Sequence, residues 1–279
     1  MPVMLIFGLG YTAGRIAAQL RAQEWRVIGT SRSGRDDTID WDDQSAIEAE
    51  LARADAVLSS VPPEGDGDPV LARHADAVRR VRWAGYLSST GVYGDTGGAW
   101  VDESAPVGGR RSARNDADRG WRELGARVFR LPGIYGPGRS ALDRVAEGRA
   151  HRIDLPGQVF SRVHVDDIAR GVIAALGAPP GAYNLADDRP CSQNEVIDFA
   201  CRLLGRALPP LQTMDEAALS PMARSFYAEN RRVANGKAKR VLGWQPAYPD
   251  YREGLRALSA MTSPDSASTD PATASPDQR

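Results

Sequence analysis

The chain has 279 residues and a formal net charge of −1, with 42% hydrophobic and 25% charged residues. That balance is ordinary for a globular protein and gives no electrostatic case for nucleic acid or an anionic membrane surface as a partner. No apolar run approaches the roughly 20 residues that span a bilayer, and the length suits one large α/β unit or a nucleotide domain with a smaller lobe.

Residues 3–7 form an apolar run of strand length, followed at once by Gly8-Leu9-Gly10-Tyr11-Thr12-Ala13-Gly14 and a helix-forming run over 15–20. Strand, glycine turn and helix in succession are the context of a dinucleotide-binding loop. Gly8 is expected to take the sharp turn and Gly10 to let the backbone approach a pyrophosphate, while Ala13 or Gly14 allows close packing of helix on strand. The free N–H groups of the helix start then face the phosphates, so Leu9, Tyr11, Thr12 and Ala13 join the expected cofactor contacts. The third glycine of the strict pattern is an alanine, and a glycine-rich turn in an unrelated α/β protein is the alternative. With a strand at the start of the chain, no signal peptide is expected and the location is expected to be cytoplasmic.

Residues 25–30 read as the second strand, ending in Ser31-Arg32-Ser33-Gly34-Arg35. An acid near this point suits the ribose of NAD, whereas an arginine suits the 2′-phosphate of NADP. Arg32 therefore favours NADP, although Asp36 and Asp37 follow and a solvated basic turn is the alternative. A short third strand is expected over 38–41, with Asp40 either near the adenine or a surface acid. A helix over 44–54 leads to a strand over 56–61 stopped by Pro62-Pro63, where Ser60 is a further expected cofactor contact. Pro69 opens a helix running to about 82, and a fifth strand follows over 83–88. Alternating short strands and helices predict an α/β fold with a doubly wound parallel sheet of the Rossmann type. Its strand C-termini, and the cofactor, then lie along one edge.

The stretch 86–95 places Ser88, Ser89 and Thr90 at the end of a central strand, where a substrate would lie. A sixth strand over 128–131 runs into Pro132-Gly133-Ile134-Tyr135-Gly136-Pro137-Gly138, a dense Pro/Gly loop suited to cover a cofactor or face a substrate. With Gly8-Leu9-Gly10-Tyr11, Ser89-Thr90-Gly91-Val92-Tyr93-Gly94 and Arg162-Val163-His164-Val165-Asp166-Asp167, this order resembles the extended, epimerase/dehydratase branch of the short-chain dehydrogenase/reductase superfamily. The C-terminal Arg232-Val233-Ala234-Asn235 and Leu242-Gly243-Trp244 are similar to that branch as well, and the resemblance covers roughly residues 3–258. It implies a nucleotide domain, a small C-terminal substrate lobe, and Pro132 near the cofactor.

The resemblance also implies a Ser or Thr, here Ser89, and a Tyr-x-x-x-Lys pair on the next helix. In the matching segment, Pro106 to Arg114, the tyrosine position is Arg110 and the lysine position is Arg114. A guanidinium has no acceptor and a pKa above about 12, so Arg110 cannot trade a proton near neutrality. Arg114 can still donate to the ribose. No tyrosine lies between Tyr93 and Tyr135, so a change of register does not restore the pair. Tyr93 and Tyr135 are the candidate substitutes, each with a packing role as its alternative. His164 reads as a structural residue at a helix start, and Arg114 with Asp118 as a surface ion pair.

Further on, helices are expected over 140–147 and 167–176, a strand over 182–185, and a helix from the capping box Ser192–Glu195 to 204. Residues 209–224 read as irregular or weakly helical, and 237–242 and 251–261 as helices. Asn230-Arg231-Arg232-Val233 is a basic spot facing either a substrate anion or sugar, or solvent. Cys191 and Cys201 are placed in one helix as buried thiols, and the scattered His74, His151 and His164 offer no metal site. The expected organisation is a single unit over 1–261, with a nucleotide-binding core of about 1–138 plus 164–186. The lobe takes about 139–163 and 187–261, and a disordered tail fills 262–279. The expected function is an NADP-binding oxidoreductase or epimerase acting on a small polar carbonyl or sugar-like molecule without the usual Tyr-Lys pair, and a homodimer is compatible with it. A non-catalytic NADP-binding redox sensor or partner-binding protein is the alternative.

Overall fold

The first strand, β1 (Val3–Phe7), sends Met4 and Ile6 to one side and Leu5 and Phe7 to the other, and all four are fully buried. Both faces of the strand are therefore covered, as in a sheet sandwiched by helices. In the computed structural model, which describes residues 1–65 and 67–262, the chain continues through α1 (Tyr11–Arg21), β2 (Arg26–Ser31), β3 (Ile39–Asp40), α2 (Gln44–Leu51), β4 (Ala56–Ser59), α3 (Pro69–Arg80) and β5 (Trp83–Ser89). Next come β6 (Trp100–Val101), α4 (Ser112–Glu123), β7 (Arg127–Leu131), β8 (Gly133–Tyr135), α5 (Ala141–Ala146), β9 (Arg152–Ile153), β10 (Arg162–His164), α6 (Val165–Ala174) and β11 (Gly181–Asn184). The last elements are α7 (Gln193–Leu203), β12 (Leu211–Gln212), α8 (Pro221–Tyr227), β13 (Arg232–Val233), α9 (Gly236–Leu242) and α10 (Tyr251–Thr262). The tail expected from 262 lies, from residue 263, outside the described residues.

Seven strands form one all-parallel sheet in the order β3-β2-β1-β4-β5-β7-β11. Helices α1 and α6 cover one face through Ile16, Leu20, Ile168 and Val172. Helices α2, α3 and α4 cover the other through Ile47, Val70, Val78 and Trp121. This is the doubly wound Rossmann arrangement. The strand order reverses between β1 and β4, which opens a crevice at their C-terminal ends.

Beyond the sheet, α5, α7 and α10 build a separate apolar cluster around Leu142, Ile197, Phe199, Leu255 and Leu258. Helix α9 does not join it. Ala238 and Trp244 pack into the sheet's own cluster, and the Trp244 indole N–H donates to the Asp167 carbonyl oxygen at 3.0 Å.

Several sequence expectations need correction. Cys191 precedes α7 and bridges Phe160, so only Cys201 is helical; both are buried free thiols. Residues 209–224 hold β12 and the start of α8. Asp118 makes no surface pair with Arg114: it is fully buried and binds Arg130. His164 does cap α6, its imidazole accepting from the Asp166 N–H at 3.2 Å.

Candidate active site

The glycine loop joins β1 to α1 at the crevice. Gly8 has φ +80, and a Cβ there would stand 3.0 Å from Val61 and 3.2 Å from Ser60, so only glycine fits without strain. The turn is pinned to β2: the Gly8 N–H donates to the Thr30 hydroxyl at 3.1 Å and the Leu9 N–H to the Thr30 carbonyl at 2.8 Å. Leu9 lies against Gly29, where any Cβ would clash at 2.8 Å. The Ser60 hydroxyl donates to the Gly8 carbonyl, so Ser60 braces the loop from the end of β4.

Gly10 is the N-cap of α1, with φ −93 and no side-chain cap. A Cβ at Gly10 would meet nothing within 4 Å. Its glycine is therefore unexplained by packing, whereas Gly8 is explained. The first-turn N–H groups of Tyr11, Thr12 and Ala13 lack any capping side chain, and such a helix start attracts an anion. Ala13 is fully buried and does the close packing, while Gly14 faces open space. These features fit a dinucleotide pyrophosphate.

Tyr11 reaches over the loop and donates to the Pro137 carbonyl at 3.1 Å, with the Arg139 guanidinium 5.7 Å from its ring. Gly136 leaves room for this hydroxyl, since a Cβ there would be 2.6 Å from it. Pro132 follows β7 directly and is half-buried. Arg32 follows β2 with its side chain 93% exposed and 4.0 Å from Glu64. Asp40 ends β3, and its carboxylate accepts from the Asp42 N–H at 2.9 Å.

Ser89 ends β5 and caps a short turn over Thr90–Tyr93, its oxygen accepting from the Gly91 N–H at 3.1 Å. That leaves its O–H free to donate. The segment before α4 is fixed to this turn, because the Gly108 and Gly109 N–H groups both donate to the Val92 carbonyl, at 2.8 and 2.9 Å. A Cβ on Gly109 would lie 2.0 Å from the Gly91 oxygen, so the close approach requires glycine. Arg110 therefore starts beside the Ser89 turn, and Arg114 falls in the first turn of α4.

The Arg110 side chain turns to the far segment of the chain. It donates to the Glu229 carboxylate at 2.8 Å and to the Ser225 carbonyl at 2.9 Å. Arg231 donates to the same Glu229 carboxylate at 2.6 Å and to the Gly94 carbonyl at 2.7 Å. Burial alone would raise the Glu229 carboxyl, but hydrogen bonds from Arg110 and Arg231 outweigh it and hold it below its ordinary range. Glu229 was not anticipated; the only hint was an acid directly before the basic run Asn230-Arg231-Arg232.

The substitute acids are placed otherwise. The Tyr93 hydroxyl is buried, donates to Asn184 at 2.7 Å and accepts from Arg130 at 3.0 Å. Burial raises its pKa, only partly offset by Arg130. The Tyr135 hydroxyl is buried without a hydrogen-bond partner, edge-on to the His164 ring at 5.2 Å, and burial drives its pKa upward. Among the described residues no group of His, Cys, Asp or Glu side chains is arranged to hold a metal, and no helix is long and apolar enough to cross a membrane.

No protein-family model matches the chain. A solved structure of a functionally unknown conserved protein from Silicibacter pomeroyi DSS is 43% identical, with a TM-score of 0.83, covering 94% of this chain and 99% of that one. The human epimerase family protein SDR39U1 (isoform 2), solved with NADPH, is 18% identical with a TM-score of 0.73, covering 92% and 99%. Among curated proteins, a 3-diazoavenalumate denitrifying reductase from Streptomyces is 32% identical over 145 residues. That match spans about half of each protein, 48% of this chain and 47% of the reductase. The chain thus belongs to the same family as the conserved Silicibacter pomeroyi protein, and it shares its fold with the human epimerase family protein SDR39U1.

Proposed function

We propose that this protein is an NADP-dependent oxidoreductase or epimerase of the cytoplasm, acting on a small polar carbonyl or sugar-like molecule without the usual Tyr-Lys pair. The observation that carries the reading is Gly10, a glycine with open space where its side chain would be, at an uncapped helix start in the switch-point crevice. The names of two relatives support it: one is a reductase and one was solved with NADPH. The core of about 1–138 plus 164–186 would hold the nucleotide, and the lobe of about 139–163 and 187–261 would cover the substrate.

A nicotinamide cofactor supplies or accepts a hydride when bound. The backbone from Gly8 to Ala13 would take its pyrophosphate, with Ser60 bracing the loop. Arg32 would grip the 2′-phosphate as a guanidinium fork. Arg114, whose side chain has no described hydrogen bond or ion pair, would donate to the ribose. Ser89 would donate its free O–H to the substrate oxygen. Arg110 holds a permanent charge and would stabilise negative charge building on that oxygen. The proton would come from water. In this reading Tyr93 departs from its expected role, because both faces of its hydroxyl are already engaged in the core.

The test is NADPH titration followed by a screen of carbonyl and sugar-like substrates for nucleotide oxidation or epimerised product. Tight NADPH binding with turnover supports the reading. Tight binding with no turnover on any of them supports the non-catalytic sensor instead.

A further inference from the structure

Arg110 comes from the segment before α4, and Glu229 and Arg231 come from the loop before β13. One carboxylate thus bonds two guanidiniums, and Asp95, which accepts from the Asn230 N–H, is a second carboxylate within electrostatic reach of Arg231. Glu229 is only 12% exposed and Arg231 16%, whereas Arg110 is 53% exposed. The half-buried Glu229–Arg231 pair is therefore the anchored part and Arg110 its accessible arm.

The anchored part is firmly held. The Asn230 N–H donates to Asp95 at 2.8 Å, its amide nitrogen donates to the Gly157 carbonyl at 3.0 Å, and its amide oxygen accepts from the Val159 N–H at 3.1 Å. The Gln158 amide donates to the Glu229 carbonyl at 2.9 Å. Arg231 spends one nitrogen, Nη1, on Gly94 and Glu229. Its Nη2 lies near Gly91, 4.0 Å from where a Cβ would stand. Gly91 is two residues from Ser89, whose hydroxyl caps the same turn. The Arg231 guanidinium and the Ser89 hydroxyl thus lie on the same side of Gly91, 4.0 and 3.3 Å from where its Cβ would stand. Guanidiniums so arranged recognise planar or tetrahedral oxyanions.

We propose that Arg231, preorganised by Glu229 and Gly94, forms with Arg110 an anion subsite beside Ser89, so that the substrate carries a carboxylate or phosphate next to its reacting group. This deepens the enzyme reading and rests on it for the word substrate. Preorganisation matters here because a guanidinium already held by its neighbours loses less freedom on binding. The Arg110–Glu229 bond lies at the accessible edge, where an incoming anion competes with Glu229 for Arg110.

Titration calorimetry of inorganic phosphate, and separately of malonate, into the full chain tests this at constant ionic strength, with and without saturating NADPH. The expected result is saturable binding that persists in the presence of NADPH. Arg231→Gln should weaken it at least tenfold and Arg110→Gln at least threefold. Whichever ion binds more tightly identifies the substrate group. Binding that disappears with NADPH, or that is unchanged in Arg231→Gln, would overturn the proposal. Thermal unfolding of both variants runs alongside; if Arg231→Gln fails to fold, the exposed Arg110→Gln decides alone. NADPH affinity is read on the same samples. Its absence beside Arg231-dependent anion binding would remove the enzyme reading and leave the subsite standing.

Discussion

Arg130 and Asp118 meet in the core as a bidentate pair with neither side chain exposed, Nη2 to Oδ1 at 2.7 Å and Nε to Oδ2 at 3.0 Å. Ser88 donates to the same carboxylate at 2.8 Å, and Arg130 donates to Tyr93 at 3.0 Å. The pair ties β7 to α4 directly beneath the turn that carries Ser89.

Removing one member leaves a buried charge without a partner, so Arg130→Met should cost about 3–5 kcal/mol of stability. Adding Asp118→Leu should recover most of that loss, because the desolvation cost then vanishes for both groups. Urea denaturation measures both variants. A loss below about 1 kcal/mol in the single variant would show that the pair carries little of the folding energy.

The extent to which the sequence exposed this arrangement follows from its periodicities. β1, α3 and α7 have clear patterns and end signals, such as Pro69 and the Ser192–Glu195 capping box, and the structure has them almost residue for residue. The two- and three-residue strands β6, β8, β9, β10, β12 and β13 have no period to read. The i,i+4 spacing to Arg114 marks Asp118 as half of a surface ion pair, yet its true partner, Arg130, is 12 residues away on β7. Glu229 was hidden for the same reason, with its partner Arg110 119 residues distant. Local residues announce a loop's chemistry, whereas long-range pairing decides which charges are spent.

Asp187 gives a pH-dependent prediction. It is 2% exposed, one carboxylate oxygen has no hydrogen-bond partner, and burial pushes its carboxyl from 3.8 up to about 8, only partly offset by Arg162. Between those values the folded chain holds a proton that the unfolded chain has released. Its contribution to stability is therefore full below 3.8 and is lost as pH rises through about 8. Asp187→Asn, which cannot ionise, should gain stability relative to the parent as pH rises from 5 to 8, and the difference should flatten above that. Denaturation at pH 5, 6.5, 8 and 9 reads this directly, and a pH-independent difference would contradict it.

Gly109 offers a steric test of the link between the Ser89 turn and Arg110. A Cβ at this position would stand 2.0 Å from the Gly91 oxygen, a backbone atom that cannot swing aside. Gly109→Ala should therefore cost about 1–3 kcal/mol and weaken Arg110-dependent anion binding. Gly108→Ala is the control, since a Cβ there meets nothing within 4 Å. Equal effects of the two substitutions would contradict the packing argument.

The proposed preference for NADP rests on Arg32, which is exposed just after β2. NADPH should bind more tightly than NADH, and Arg32→Glu should narrow or reverse the gap through the loss of phosphate contact and the added repulsion. Calorimetry with both nucleotides measures it, and equal affinities in the unaltered protein would reject the assignment.

In the proposed reading, Gly10 is glycine for a ligand and not for the fold. Its φ of −93 suits any L-residue, its Cβ would meet nothing within 4 Å, and the helix behind it has no side-chain cap. Gly10→Asp supplies a favoured capping side chain and a negative charge at the point where pyrophosphate would lie. Measuring NADPH affinity and unfolding free energy on this one variant tests the claim. Stability should be unchanged or slightly higher and NADPH affinity reduced at least a hundredfold, whereas unchanged NADPH affinity in a folded Gly10→Asp protein would show that no ligand needs this glycine.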